Sequence, residues 1–262
     1  MAETTFLDRI GRRLARFLAT ESPGYQPYTP SDPETLRAVL RPGDVVLIEG
    51  NQHVSAAIKY LTQSTWSHAA LYIGDRLGRE GEGDAMLVEV TVEEGCAAVP
   101  LAKYRAHNTR ICRPAGLTDD DRTTVIEFMV ASIGLRYDMK NVVDLIRYLL
   151  PTPPVPVRWR RRMIAFGSGD PTRAICSSLI AEAFGRVRYP ILPEVVPADP
   201  HATRAVSPYS IGEITHIHNY GLYVPRDFDL SPYFRVVKPT IEQGFDYKKM
   251  VWDAGTAGGR LA

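Results

Sequence analysis

The chain has 262 residues, 45% of them hydrophobic and 23% charged, the balance of a globular protein able to bury a core. Its net charge of +1 provides no global field to recruit nucleic acid. No apolar run approaches the roughly 18 residues that a membrane-spanning helix needs.

Three cysteines at uneven spacing do not form a disulfide framework and suit a reducing compartment, where a lone thiol stays reactive. The N-terminus lacks a continuous apolar core and a small-residue cleavage site. No signal peptide is therefore expected, and the cytoplasm is the default location.

Residues 3–19 read as an amphipathic helix, with Phe6, Ile10, Leu14, Phe17 and Leu18 on one stripe and Arg9, Arg12, Arg13 and Arg16 opposite. Such a helix docks on a domain or lies on an anionic membrane. A Ser/Pro/Tyr-rich linker follows, so residues 1–30 form a helix and linker ahead of a domain over 31–250. Asp32 and Pro33 carry the cap and first-turn proline of a short helix to about Leu40. After the Arg41–Asp44 turn comes an apolar strand, Val45–Ile48, and then a helix over His53–Leu61.

Strands are expected over His68–Gly74 and Met86–Val92. The glycine-rich loop between them, with Gly78, Gly81 and Gly83, makes them an antiparallel hairpin. Short strands at 96–99 and 109–113 flank a short helix near Leu101–Ala106. Thr118 followed by Asp119–Asp121 caps a helix to about Ile133, and Asn141–Leu150 reads as another. Residues 151–173, rich in proline with a basic run at Arg158–Arg162, read as an insertion or lid. A helix from about Cys176 to Val187 follows. The rest is expected to be proline-interrupted loops with a few short strands, ending in a frayed tail over 251–262.

The helix near Cys176 carries Leu179, Ile180, Ala183, Phe184 and Val187 at helical spacing, which places Cys176 on the same inward face. A cysteine there is either an inert core residue or, at the helix N-terminus, a stabilised thiolate. A helix start at Asp170–Pro171 would instead put it in the second turn. His68 opens a buried strand, where an imidazole is held firmly and partly desolvated. Glu89 interrupts the apolar run Met86–Val92, where a carboxylate costs several kcal/mol unless it is paired. On the expected hairpin it falls near His68, in a register the sequence leaves open. Together the three supply the roles of a Cys–His–carboxylate triad.

The motifs Arg41-Pro42-Gly43-Asp44-Val45-Val46 and Ser67-His68-Ala69-Ala70-Leu71-Tyr72-Ile73-Gly74 resemble the opening of the permuted papain-like hydrolases of the YaeF/YiiX type, relatives of the NlpC-type peptidases. Val88-Glu89-Val90-Thr91 and Ile175-Cys176-Ser177-Ser178-Leu179-Ile180 follow in that family's order, and the Gly134–Asp138 turn also resembles a family feature. The resemblance covers roughly residues 41–190. It implies an α+β architecture, a circularly permuted papain-like (NlpC-type) fold with a small antiparallel sheet packed against helices. It also implies Cys176 as nucleophile, His68 as base, Glu89 as orienting acid and Tyr137 bordering the substrate site.

No metal and no cofactor is expected. His216-Ile217-His218 lacks a third ligand, and Cys96, His107 and Cys112 do not make a zinc pattern. Ser177 and Ser178 lack a nucleophile elbow. The leading expectation is a cysteine hydrolase of amidase or peptidase type that works through an acyl-enzyme. One alternative is a lipid-directed acyltransferase or thiol esterase resembling lecithin:retinol acyltransferase, with peripheral membrane contact through residues 3–19 or 158–162. The other is a non-catalytic peptide or amino-acid binding module. The expected partners are accordingly peptide, amide or lipid substrates, and not nucleic acid.

Overall fold

The computed structural model describes residues 20, 25–28, 32–78, 85–91, 94–135, 175–192, 194–197, 213–216, 220 and 223–250. The expected helices at 3–19 and 141–150, the 151–173 insertion, Tyr137, His218 and the tail all lie outside these residues.

Strand β1 (Val45–Ile48) is buried at every residue because it is central and covered on both faces. It pairs antiparallel with β2 (His68–Tyr72) and with β5 (Thr109–Pro114). β3 (Ala85–Thr91) and β4 (Gly95–Pro100) extend the sheet beyond β2, and β8 (Phe234–Val237) extends it beyond β5. The order is β4-β3-β2-β1-β5-β8, antiparallel throughout. A separate antiparallel pair joins β6 (Glu194–Pro197) to β7 (Glu213–His216). Antiparallel sheet with helices makes this an α+β architecture.

Strand periodicity divides the core in two. Val45, Leu47, Ala69, Leu71, Val88 and Val90 share one cluster with α3 (Asp119–Ala131) and α4 (Ile175–Arg186). Val46, Ile48, Ala70, Tyr72 and Leu87 share the other with Leu36 of α1 (Pro33–Val39) and with Leu101 and Tyr104 of a 3-10 helix (Leu101–Tyr104).

Local chemistry sets the boundaries. Asp32 accepts from the Thr35 N–H at 3.2 Å to start α1, and Thr118 accepts from the Asp121 N–H at 3.2 Å to start α3. At the turn into β1, Gly43 takes φ +91°, and the Asp44 carboxylate accepts from the Arg41 N–H at 2.8 Å. α2 (His53–Thr62) crosses between β1 and β2 and ends on Gln63 in the left-handed region.

After residue 190 the few short strands expected are present, joined by short helices that the sequence reading did not name. β8 belongs to the main sheet, and α5 (Pro225–Leu230) precedes it, with α6 (Pro239–Glu242) behind. Phe234 of β8 packs edge-on against Phe184 of α4 at 5.3 Å and against Phe228 of α5 at 5.5 Å. Burial of these rings, rather than local propensity, fixes the strand. Among the described residues no helix is long and apolar enough to cross a membrane.

Candidate active site

The hairpin register is Ala70↔Glu89, which puts His68 and Glu89 on the same sheet face, two residues apart along β2. Glu89 is not on a solvated face: its side chain is 0% exposed. An apolar strand tolerates a buried carboxylate only when its oxygens are satisfied, and three donors do so. Oε2 lies 3.0 Å from His68 Nε2 and also accepts from the Tyr104 hydroxyl. Oε1 accepts from Lys103 Nζ at 2.5 Å.

Glu89 is therefore held as an anion. Burial opposes its charge, but the His68 hydrogen bond and charge, then Lys103 and Tyr104, outweigh that and bring its pKa down to about 2.

Cys176 is the second described residue of α4, and the alternative helix start at Asp170–Pro171 lies outside the described residues. Its inward neighbours Leu179, Ile180, Ala183 and Phe184 are all buried against the sheet, so the expected helix face is the observed one. The same packing fixes where the thiol stands, and Ser177 Oγ adds a bond to the Tyr223 carbonyl at 2.7 Å. α4 lies on β2 and β3, and the thiol meets the His68 ring as a hydrogen-bond partner. Glu89 occupies Nε2, which leaves Nδ1 for the sulfur.

The electrostatics pull the pair apart. Burial disfavours the Cys176 thiolate, but the His68 charge and hydrogen bond, then the Ala69 and Ser177 backbone N–H groups, lower its pKa. Burial likewise disfavours the His68 cation, yet the Cys176 charge and hydrogen bond, then Glu89, raise its pKa. The two shifts describe one coupled thiolate–imidazolium pair. The other cysteines behave oppositely. Burial pushes Cys96 up to about 11 and Cys112 higher still, as expected of inert core thiols. Cys176 is 5% exposed and the His68 side chain 19%, so this end of the pair borders solvent.

Sequence reasoning thus named Cys176, His68 and Glu89, and the structure brings them together. It missed Lys103 and Tyr104. The signal was present: a carboxylate in an apolar strand demands donors, and Lys103-Tyr104 stands directly after the strand paired with it. His216 ends β7. Among the described residues, no group of three or more His, Cys, Asp or Glu side chains is arranged to hold a metal ion.

Comparison with known proteins agrees with the resemblance read from the motifs. The family model described as "Permuted papain-like amidase enzyme, YaeF/YiiX, C92 family" matches residues 39–148. That span contains His68 and Glu89 and ends before Cys176. Among curated proteins, the chain is similar to the "Probable lipoprotein peptidase YaeF" of Escherichia coli K12, 22% identical over 168 residues. The match covers 58% of this chain and 58% of that relative, so it spans less than two thirds of the relative's length. Among solved structures, the crystal structure of metalloprotein yiiX from Escherichia coli O157:H7 aligns with 15% identity and a TM-score of 0.44. It covers 76% of this chain and 96% of that one.

Proposed function

We propose, from the premise that residues 39–148 match the permuted papain-like amidases, that this chain is a cysteine hydrolase cleaving peptide or amide bonds through an acyl-enzyme. Cys176 is the nucleophile, His68 the base and later the acid, and Glu89 the residue that orients the imidazole. In this reading the chain order His68, Glu89, Cys176 reflects a circular permutation of a papain-like fold, whose cysteine comes first.

The observation that carries the proposal is the buried Glu89 carboxylate 3.0 Å from Nε2 of His68, with Cys176 of α4 meeting the same ring. Of three buried cysteines, only Cys176 has its pKa lowered, and its partner is a histidine backed by a buried carboxylate. A structural core does not need that arrangement, whereas nucleophilic catalysis does.

The chemistry follows from the partners. The thiolate attacks the substrate carbonyl, and backbone N–H groups at the start of α4 stabilise the developing oxyanion. His68, already protonated, gives its Nδ1 proton to the leaving nitrogen as the C–N bond breaks. Neutral His68 then takes a proton from water, whose oxygen attacks the thioester carbon and releases the acid with the thiol regenerated. Glu89 stays ionised throughout and stabilises the imidazolium.

Iodoacetamide labelling at pH 7, read residue by residue by mass spectrometry, tests the reading. Cys176 labels at least ~100-fold faster than Cys96 or Cys112, and His68→Ala removes the difference. Equal labelling of the three in the folded protein would reject a poised nucleophile.

A further inference from the structure

Glu89 has more partners than an orienting acid needs. Besides His68 it holds the Tyr104 hydroxyl on the same oxygen and the Lys103 ammonium on the other. Both extra donors come from the 3-10 helix that directly follows β4, the strand paired with β3. Backbone pairing thus fixes where they stand. Lys103 is 38% exposed while the carboxylate it holds is 0% exposed, so its stem reaches inward from the surface to a buried anion.

We propose that Lys103 is a positioning residue that tunes the pair through Glu89. Its charge offsets part of the carboxylate's pull on His68, and so sets the pH at which the imidazolium gives up its proton. The proposal rests on the hydrolase reading above.

A thiolate, an imidazolium and a carboxylate in one buried cluster carry a net negative charge, and a fourth group of positive sign balances it. The groups that face the pair are Cys176 from α4, Lys103 and Tyr104 from the 3-10 helix, and Cys96 from β4. Glu94 and His107 stand beyond Tyr104. Among the described residues that face the pair, Lys103 is the one lysine or arginine.

Without it, the whole carboxylate charge would act on His68. The imidazolium would then hold its proton more tightly, favouring the resting ion pair while opposing transfer to a leaving nitrogen. Lys103 therefore favours turnover over storage of the charged pair. It touches neither the sulfur nor the reacting atoms. It also fixes Oε1, which leaves Oε2 directed at His68 Nε2.

The test is an NMR titration of the full chain with ¹³C,¹⁵N-labelled histidine, following the His68 ring signal. Lys103→Gln keeps a hydrogen-bond donor and removes the charge; Lys103→Arg keeps both. The expected result is an upward shift of the His68 titration by about one pH unit in Lys103→Gln, with Lys103→Arg near the wild-type value. A folded Lys103→Gln protein whose His68 titrates as in the wild type overturns the inference. So does an equal shift in Lys103→Arg, which would mean geometry rather than charge.

Cys176→Ser separates this from the underlying reading, since loss of the thiolate must lower the His68 titration. If Cys176→Ser changes nothing, the thiolate–imidazolium pair itself is wrong. If Cys176→Ser lowers it and Lys103→Gln does not move it, only the role of Lys103 falls.

Discussion

Two buried acids stand two strands apart on the same sheet, and their partners separate scaffold from chemistry. Asp44 lies at the start of β1, 1% exposed, and takes two bonds from Arg113, Nε at 2.9 Å and Nη2 at 2.7 Å. Glu89 lies in β3 opposite Ala70, two residues along β2 from His68. Both are carboxylates in apolar surroundings, and each faces the same desolvation problem. Burial pushes Asp44 above the ordinary carboxylate range despite Arg113, while the partners of Glu89 bring it down to about 2. The Arg113 guanidinium keeps its charge at any accessible pH, so the Asp44 pair only holds the turn between Arg41 and β1. His68 can take up or give up a proton: burial opposes its charge, but Cys176 and then Glu89 raise its pKa to about 10, and it shares that proton with a thiol. A buried acid becomes part of a site when its partner can titrate.

Glu89→Gln is the largest way to break the comparison. The amide keeps the shape but removes the anion that stabilises the imidazolium. The Cys176 labelling rate at pH 7 is expected to fall by up to about a hundredfold, towards the level of His68→Ala, because the thiolate loses its stabilised imidazolium. Stopped-flow alkylation of folded protein measures it. A rate within a few-fold of wild type would return Glu89 to the scaffold.

Asp44→Asn makes the complementary cut. It leaves the Arg113 charge, only 11% exposed, without its partner, so stability falls by about 3 kcal/mol in urea denaturation. The labelling rate of the protein that remains folded is unchanged, because Asp44 touches neither His68 nor Cys176. A large drop in labelling would show that the two acids are coupled through the sheet.

How much of this was legible in the sequence depends on how local each feature is. β1, the β2–β3 hairpin, α3 and α4 announce themselves by local pattern: apolar runs, helical spacing and, for α3, the Thr118 cap. Glu89 was legible as an odd choice in an apolar strand, whereas Cys176 and His68 read alone as core residues and stood out only with Glu89 and through the motif resemblance. β8 was not legible, because Phe234-Arg235-Val236-Val237 becomes a strand only by pairing with β5, more than a hundred residues earlier. The register Ala70↔Glu89 was hidden for a related reason: the loop that sets it is long and polar, so alternation fixes the face but not the offset. Lys103 was passed over because a lysine on a short surface helix is an ordinary solvated charge until its carboxylate neighbour is known.

Acid titration sharpens the contrast through its sign. The folded pKa of Glu89, about 2, lies below its ordinary 4.5, so its contribution to stability is complete above about pH 4.5 and is lost as pH falls towards 2. Asp44 runs the other way: its raised pKa favours the protonated form in the fold, so acidification through this group does not destabilise it. Denaturation at about pH 5 and about pH 3 should therefore show an acid-dependent loss on the order of 2 kcal/mol smaller in Glu89→Gln than in wild type. Asp44→Asn should retain the full loss. If both variants flatten the dependence equally, the acid sensitivity comes from elsewhere.

The smallest effect is expected at Tyr104. Its hydroxyl donates to the same Glu89 oxygen that meets His68, and burial followed by the Glu89 charge raises its pKa, so it stays a neutral donor. Tyr104→Phe removes one hydrogen bond from a buried anion while Lys103 and His68 keep theirs. The cost is about 1 kcal/mol of stability, and Cys176 labelling changes by less than about threefold. The carboxylate keeps its charge, and charge, not the number of donors, is what His68 senses. A labelling defect approaching that of Glu89→Gln would reverse this order: the hydroxyl would then be fixing where Glu89 points, and the precision of the acid would matter more than its charge.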